Sequence, residues 1–393
     1  MNLAVCTIVR DEEPLIEGYI HAVQKFAQEL VVVDTGSRDL TVERAEKLGV
    51  KVAHFAWNNN FADARNFSIQ QATQPWILVM DPDEYLPEDS IAGLERLLQK
   101  GYHAYQVIVR NRYPIPMMTL SLDVPALRLF RRSKEIFFEG RVHEDIRQSL
   151  FRLTYEPAIS DLVIVHRGYE MTDFYRIFRN QRLFEAAHHA YPTDVWVQFH
   201  LALGYSLSGD LEKAIKLVQL LLSIPDEQIP SRTRAYLLSL AAYWALELGN
   251  IDVARRDAIR ASHALGGDNV VSEYVLGLAE QREGNLKNAL EHFHNIEKLQ
   301  FTAKETEIKI DALYKQIAAL YFKMGNFARS LQYVELARRE YPSYEVLTLG
   351  GLAAEKLGQF SVALRLYREA QRYTDDPGAL RQRIEYCERK ASL

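Results

Sequence analysis

Five glycines constrain this chain more than any other feature. Gly209, Gly249, Gly284, Gly325 and Gly358 stand 40, 35, 41 and 33 residues apart. Five residues after each comes a small residue: Ala214, Ala254, Ala289, Ser330 and Ala363. Seven residues before each, inside an apolar stretch, stands another: Ala202, Ala242, Gly277, Ala318 and Gly351. A glycine that stops one helix, flanked by small residues that let two helices approach, is the grammar of a helix-turn-helix repeat. One such repeat cannot bury its apolar face alone, so residues 195–393 are expected to stack as an all-α solenoid. Residues 171–194, with a helix over Thr172 to Tyr191, are expected to link that array to what precedes it.

Residues 1–170 follow a different grammar. Leu3 to Val9 is an apolar run ended by the polar turn Arg10-Asp11-Glu12-Glu13, and Pro14 opens a helix at a favoured first-turn position. Leu30 to Val33 is a second strand, closed by Asp34-Thr35-Gly36-Ser37, and the helix after it runs from about Thr41 to Leu48. A third strand covers Lys51 to Phe55, a helix follows Asn60, and a fourth strand, Trp76 to Met80, ends at Asp81. Strands apolar on both faces and joined by helices predict a mostly parallel α/β sheet covered on both sides. Ligands of such sheets lie beyond the carboxyl ends of the strands, where the strand order reverses. The polar residues that follow each strand are therefore the candidates for chemistry.

With 393 residues the chain is too long for a single compact core. A formal net charge of -5 argues against a nucleic-acid partner. Cys6 and Cys387 stand at opposite ends and Cys6 lies in a strand, which fits a reducing compartment without a structural disulfide. The start reads as a strand rather than a secretory leader, and no apolar run approaches the roughly 20 residues of a membrane-spanning helix. The expectation is a cytoplasmic protein with no membrane span.

Four segments carry candidate chemistry. Asp81-Pro82-Asp83-Glu84 follows the fourth strand, and carboxylates at that spacing suit a hard divalent cation shared with diphosphate oxygens. Read alone it is equally an acidic turn before a helix. Thr7 to Glu12 ends the first strand. Asp34 ends the second, where a carboxylate can accept a uracil N–H or simply close an Asx turn. Phe61-Ala62-Asp63-Ala64-Arg65-Asn66 puts Arg65 between small residues, so its fork can reach a nucleotide base or phosphate, or lie solvated.

Taken together, Thr7-Ile8-Val9-Arg10-Asp11-Glu12-Glu13, Val33-Asp34-Thr35-Gly36-Ser37-Arg38-Asp39-Leu40-Thr41, Ala64-Arg65-Asn66 and Asp81-Pro82-Asp83-Glu84 resemble family 2 glycosyltransferases over roughly residues 1–170. The resemblance implies the GT-A fold, a nucleotide-diphosphate sugar donor, Mn²⁺ or Mg²⁺, and inversion at the anomeric carbon. It implies that Asp34 meets the uracil of a UDP-sugar, that Thr7, Arg10 and Glu12 line the nucleotide site with Arg65, that Asp81 reaches ribose or metal, and that Asp83 is the main metal ligand. The helical half resembles tetratricopeptide repeats, with Gly204-Tyr205, Tyr321 and Pro342 near consensus positions. The combination is similar to family 2 enzymes fused to such repeats, which include enzymes that glycosylate peptides on Cys or Ser and others that act on flagellin.

An inverting displacement on a hydroxyl needs a base. Phe137 to Asp145 is the candidate segment, behind Leu127 to Arg131, which reads as an edge strand of the site. Glu144 is preferred over Asp145 as the base, with His143 orienting it or touching the diphosphate. His166 ends another apolar strand and is either a further metal ligand or a structural histidine. Residues Ile115 to Leu122, with Pro114 and Pro116 about Ile115, read as a mobile lid. The expected acceptor is a peptide or protein side chain (Ser, Thr or Cys) held along the concave face of the array, which offers self-association into a homodimer as its alternative use. A lipid or polysaccharide acceptor, or a repeat scaffold on a decayed transferase, are the competing readings.

Overall fold

The computed structural model describes residues 1–393 apart from 116–117, 142–143, 169–180, 183, 190–191, 193, 226–228, 230, 300–305 and 393. The chain divides into two compact units, Met1–Pro114 with Ser121–Thr172, and Ile115–Leu120 with Asp173–Leu393. The segment read as a linker, 171–194, lies largely outside the described residues.

The first unit opens β1 (Leu3–Val9), α1 (Glu13–Val23), β2 (Glu29–Asp34), α2 (Thr41–Lys47), β3 (Val52–His54), α3 (Phe61–Gln71) and β4 (Trp76–Val79), within a residue or two of the sequence expectation. It continues with β5 (Glu84–Tyr85), α4 (Glu88–Leu98), β6 (Ala104–Ile115), β7 (Met118–Arg131), α5 (Arg147–Arg152) and β8 (Ala158–His166). The strand order is β3-β2-β1-β4-β7-β6-β8-β5, so the order reverses between β1 and β4. The four strands at the β3 end are parallel, β7 runs antiparallel to β4, and β5 antiparallel to β8. Alternate residues face opposite layers. Leu3, Val5, Val9, Val32 and Leu78 share a core with Ile16, Tyr19 and Ile20 of α1 and Leu94 of α4. Ala4, Cys6, Ile8, Val33 and Val79 share the other with Ala62 and Ala64 of α3, Phe138 and Leu150.

Two expectations are corrected here. Leu127 to Arg131 is not an edge: it is the end of β7, which lies between β4 and β6 inside the sheet. The described part of 115–122, expected as a lid, is strand, and Pro116 lies outside the described residues. Pro114 lies inside β6, and Met118–Leu120 pair antiparallel with β9 (Thr306–Ile308). A proline in a strand only forbids one ladder donor, and a hairpin supplies positions where none is needed.

The second unit is an array of helical hairpins: α6 (Val195–Leu207), α7 (Leu211–Leu222), α8 (Ser231–Glu247), α9 (Ile251–Leu265), α10 (Val270–Arg282), α11 (Leu286–Leu299), α12 (Ile310–Lys323), α13 (Phe327–Glu340), α14 (Tyr344–Lys356) and α15 (Phe360–Ala370), followed by α16 (Arg381–Ala391). All five repeat glycines have positive φ, between 73° and 88°. After each, the next residue's N–H bonds the carbonyl five positions back: Asp210 to Tyr205, Asn250 to Ala245, Asn285 to Glu280, Asn326 to Tyr321 and Gln359 to Ala354. That is the Schellman closure of a helix. The same residue then starts the next helix, and the Asp210 and Asn326 side chains cap α7 and α13. Ala214, Ala254, Ala289, Ser330 and Ala363 are fully buried in the joints. The array is tetratricopeptide-like in construction.

Candidate functional site

The carboxyl ends of β1, β2 and β4 bring most of the expected residues to one edge of the sheet. At the end of β1, Asp11 sits at φ 55°, a left-handed conformation that Asp tolerates because its short side chain bonds locally. Its carboxylate accepts the Arg38 N–H at 2.8 Å, and its own N–H donates to Ser37 Oγ at 3.0 Å. The turns after β1 and β2 are thereby locked together. Glu12 is buried, with its N–H on Thr41 Oγ1 at 2.7 Å. Arg10 is partly exposed, 4.0 Å from Asp11. Thr7 is fully buried and its hydroxyl is bonded to Tyr19 Oη, so its polar atom points into the α1 layer.

Asp34 forms the Asx turn that the sequence allowed. Its carboxylate accepts the Gly36 and Ser37 N–H groups at 3.0 Å each, and His54 Nδ1 lies 3.5 Å away. A carboxylate has about four acceptor positions, so this turn orients Asp34 without exhausting it. Nothing in the spacing pointed to His54, which comes from β3.

The centre of the site is Arg65. Two alanines beside it let α3 lie close on the sheet, and Asn60 caps that helix through the Ala62 N–H. The Arg65 side chain is only 5% exposed, with Nε on Glu144 Oε1 at 2.5 Å and Nη2 on Asp81 at 3.0 Å. Burial pushes its pKa down, but the Asp81 and Glu144 carboxylates outweigh that and hold it above its ordinary value. The solvated reading of Arg65 is therefore wrong. Asn66, next along α3, grips the backbone of Phe138 with both ends of its amide, at 2.9 and 2.7 Å. Phe138 and Glu144 are thus each tied to α3, from two adjacent positions on it.

Glu144 is in the site; Asp145 is not. The Asp145 backbone bridges to Glu139, and its carboxylate accepts the Arg147 N–H at 2.7 Å, just before α5. His143 lies outside the described residues.

The acidic turn after β4 splits its labour. Asp81 faces Arg65 and, at 3.7 Å, Arg128 of β7. Asp83 lies 3.4 Å from His166 Nε2, whose ring is oriented by a 2.9 Å bond from Nδ1 to Asn111 Oδ1. Glu84 is buried and accepts the Asp81 N–H at 2.8 Å, a structural role that closes the turn. Burial pushes Glu84 up to about 7, against Arg128 and with Asp81. Burial would lower His166, but Asp83 raises it to about 9.

A divalent ion fits the Asp83 and His166 pair. Gly168 stands over them, and a Cβ there would lie 2.6 Å from both Asp83 Oδ2 and His166 Nε2, so the glycine keeps that space open. Among the described residues no cluster of three or more His, Cys, Asp or Glu converges; an ion held by this pair would take its remaining ligands from oxygens.

Residues 4–152 match the profile of the family described as Glycosyl transferase family 2. Over these residues the chain carries a Glycosyl transferase family 2 domain. Two curated relatives are similar to the chain. The TPR repeat-containing protein Synpcc7942_0270 of Synechococcus elongatus is 36% identical over 43% of this chain and 42% of its own length. The SPbeta prophage-derived glycosyltransferase SunS of Bacillus subtilis is 29% identical over 42% of this chain and 39% of its own. The chain thus spans about two fifths of the length of the curated relatives it matches. A solved tetratricopeptide repeat protein from Parabacteroides merdae is similar over 55% of this chain and 78% of that one, at 17% identity and a TM-score of 0.38. No described helix of this chain is long and apolar enough to cross a membrane.

Proposed function

We propose that this family 2 glycosyl transferase domain takes a UDP-sugar and transfers the sugar, with inversion, to a Ser, Thr or Cys side chain of a polypeptide. The observation that carries the reading is the convergence of Arg65, Asp81 and Glu144 at the switch point between β1 and β4. Asp34 keeps acceptor capacity for the imide N–H of uracil, with Arg10 and Glu12 flanking the base. Asp83 and His166 would hold the divalent ion, Mn²⁺ or Mg²⁺, whose charge would offset the negative charge of a departing diphosphate.

The remaining work belongs to the chain's own residues. In the displacement, the acceptor oxygen bonds the anomeric carbon from the face opposite the diphosphate as the carbon–oxygen bond to that diphosphate breaks. The acceptor proton passes to Glu144 Oε2, the oxygen that does not hold Arg65. Arg65 fixes the orientation of that carboxylate, and Asn66 fixes the segment that carries it. A thiol acceptor relies less on Glu144, since a thiolate forms near neutral pH. The helical array offers an extended surface suited to a polypeptide.

Thermal unfolding tests the reading, with UDP and a panel of UDP-sugars, with and without Mn²⁺. Ligand at about 100 times its dissociation constant stabilises the native state by about 2.7 kcal/mol. The expected result is a Mn²⁺-dependent shift that favours one sugar and disappears in Asp83→Ala. No shift with any uridine nucleotide overturns the UDP reading.

A further inference from the structure

Arg128 belongs to none of the four motifs, yet it reaches the same carboxylate as Arg65. β7 runs antiparallel to β4 with Leu129 opposite Leu78. This register carries the residue before Leu129 to the carboxyl edge of β4, where Asp81 follows. Arg128 Nη2 lies 3.7 Å from Asp81 Oδ2 and 3.9 Å from Glu84 Oε1. The Nη1 atoms of Arg65 and Arg128 are both buried, and neither has a hydrogen-bond partner among the described residues. Two guanidinium donors with unmet bonding capacity, flanking one carboxylate, are uncommon, because buried polar groups are almost always paired.

We infer that Arg65 and Arg128 form a two-arginine seat for the diphosphate of the nucleotide donor, and that Asp81, which both arginines face, is the carboxylate that the diphosphate displaces. This inference rests on the nucleotide-sugar reading proposed above. A diphosphate brings several acceptor oxygens, more than the single carboxylate both arginines now share. Guanidinium forks match phosphate geometry in pairs of bonds. Because both Nη1 atoms are shut off from solvent, they engage a ligand only when the guanidinium groups turn from Asp81. Binding is therefore an exchange: the diphosphate takes the arginines, and Asp81 is released towards the ribose or the metal. If the two arginines only neutralised Asp81 and Glu84, the loss of Arg128 would weaken the fold and not the discrimination between nucleotides.

The test is equilibrium binding of UDP and of uridine to the full chain and to Arg128→Gln and Arg128→Lys, with thermal unfolding run on each. The expected result is that Arg128→Gln loses about tenfold or more in UDP affinity, as removal of charge-assisted bonds does, while uridine affinity stays within about twofold. Arg128→Lys keeps the charge without the fork and falls between the two; it carries the test if the glutamine variant does not fold. A UDP-to-uridine affinity ratio unchanged in both variants overturns the inference, whatever happens to stability. A wild-type chain that binds neither ligand, nor ADP, GDP or CDP over their nucleosides, overturns the nucleotide-sugar reading itself. That failure is seen without any variant.

Discussion

Arg65 is buried between Asp81 and Glu144, and its charge is what allows two carboxylates to sit so deep beside it. Substitution of Glu144 by Gln keeps the shape but removes the proton acceptor. With a hydroxyl acceptor, turnover is expected to fall by about 10² to 10⁴, while UDP affinity in a binding titration stays near that of the wild type. A variant with unchanged turnover would remove Glu144 from the base role. At this scale the sequence was readable where motif spacing spoke and silent elsewhere. Asp34, Arg65, Asp81 and Asp83 lie in recognisable runs. Arg128 is one arginine in a strand, and only the antiparallel register of β7 against β4 shows where it goes. The resemblance implies Thr7 in the nucleotide site, but strand alternation turns its hydroxyl to Tyr19. The third acid of the turn, Glu84, gave no hint that it closes the turn.

At the scale of elements, close approach of paired helices sets the tolerances. A Cβ on Gly351 would lie 2.3 Å from the Tyr367 ring, which is fully buried with its hydroxyl on Glu355 at 2.6 Å. Gly351→Ala is therefore expected to destabilise the α14–α15 pair by about 1–3 kcal/mol, as overpacking does. Loss of helical circular dichroism on heating measures it, and an unchanged midpoint would show that Tyr367 gives way freely. Between α10 and α11, Glu273 is buried and accepts from His292 Nδ1 at 3.0 Å and from Asn295 at 3.0 Å. The Glu273 hydrogen bond raises the His292 pKa above its ordinary 6.5, against the effect of burial. A raised folded pKa gives stability that is complete below the unfolded value and lost as pH climbs through the folded one. Denaturant midpoints at about pH 6 and about pH 9 should therefore drop more in the wild type than in Glu273→Gln. Equal drops would dissociate the pair from stability. The β6–β7 hairpin was the element least legible in advance, because Pro114 and Pro116 speak for local irregularity while ladder pairing is decided by distant partners.

Across the whole molecule, each described hydrophobic cluster falls inside one unit. Two cover the faces of the sheet, and the others lie among α12 to α16. Separate cores predict separate melting. In calorimetry, UDP with Mn²⁺ should move the transition of the sheet unit and leave that of the helical array in place. A single transition that moves as a whole would show the two to be one cooperative body. The two grammars were plain in the sequence, since periodic glycines and apolar strand runs are local signals that do not compete. The helical joint has a further consequence. Within each repeat the first helix ends and the second begins across three residues, the middle one a glycine at positive φ, while the spacing from joint to joint ranges from 33 to 41 residues. Punctuation is constant and sentence length is free. Such an array can gain, lose or lengthen a repeat by whole modules, without redesign of its neighbours, and so the length of the surface it offers can change over generations while the sheet unit stays as it is.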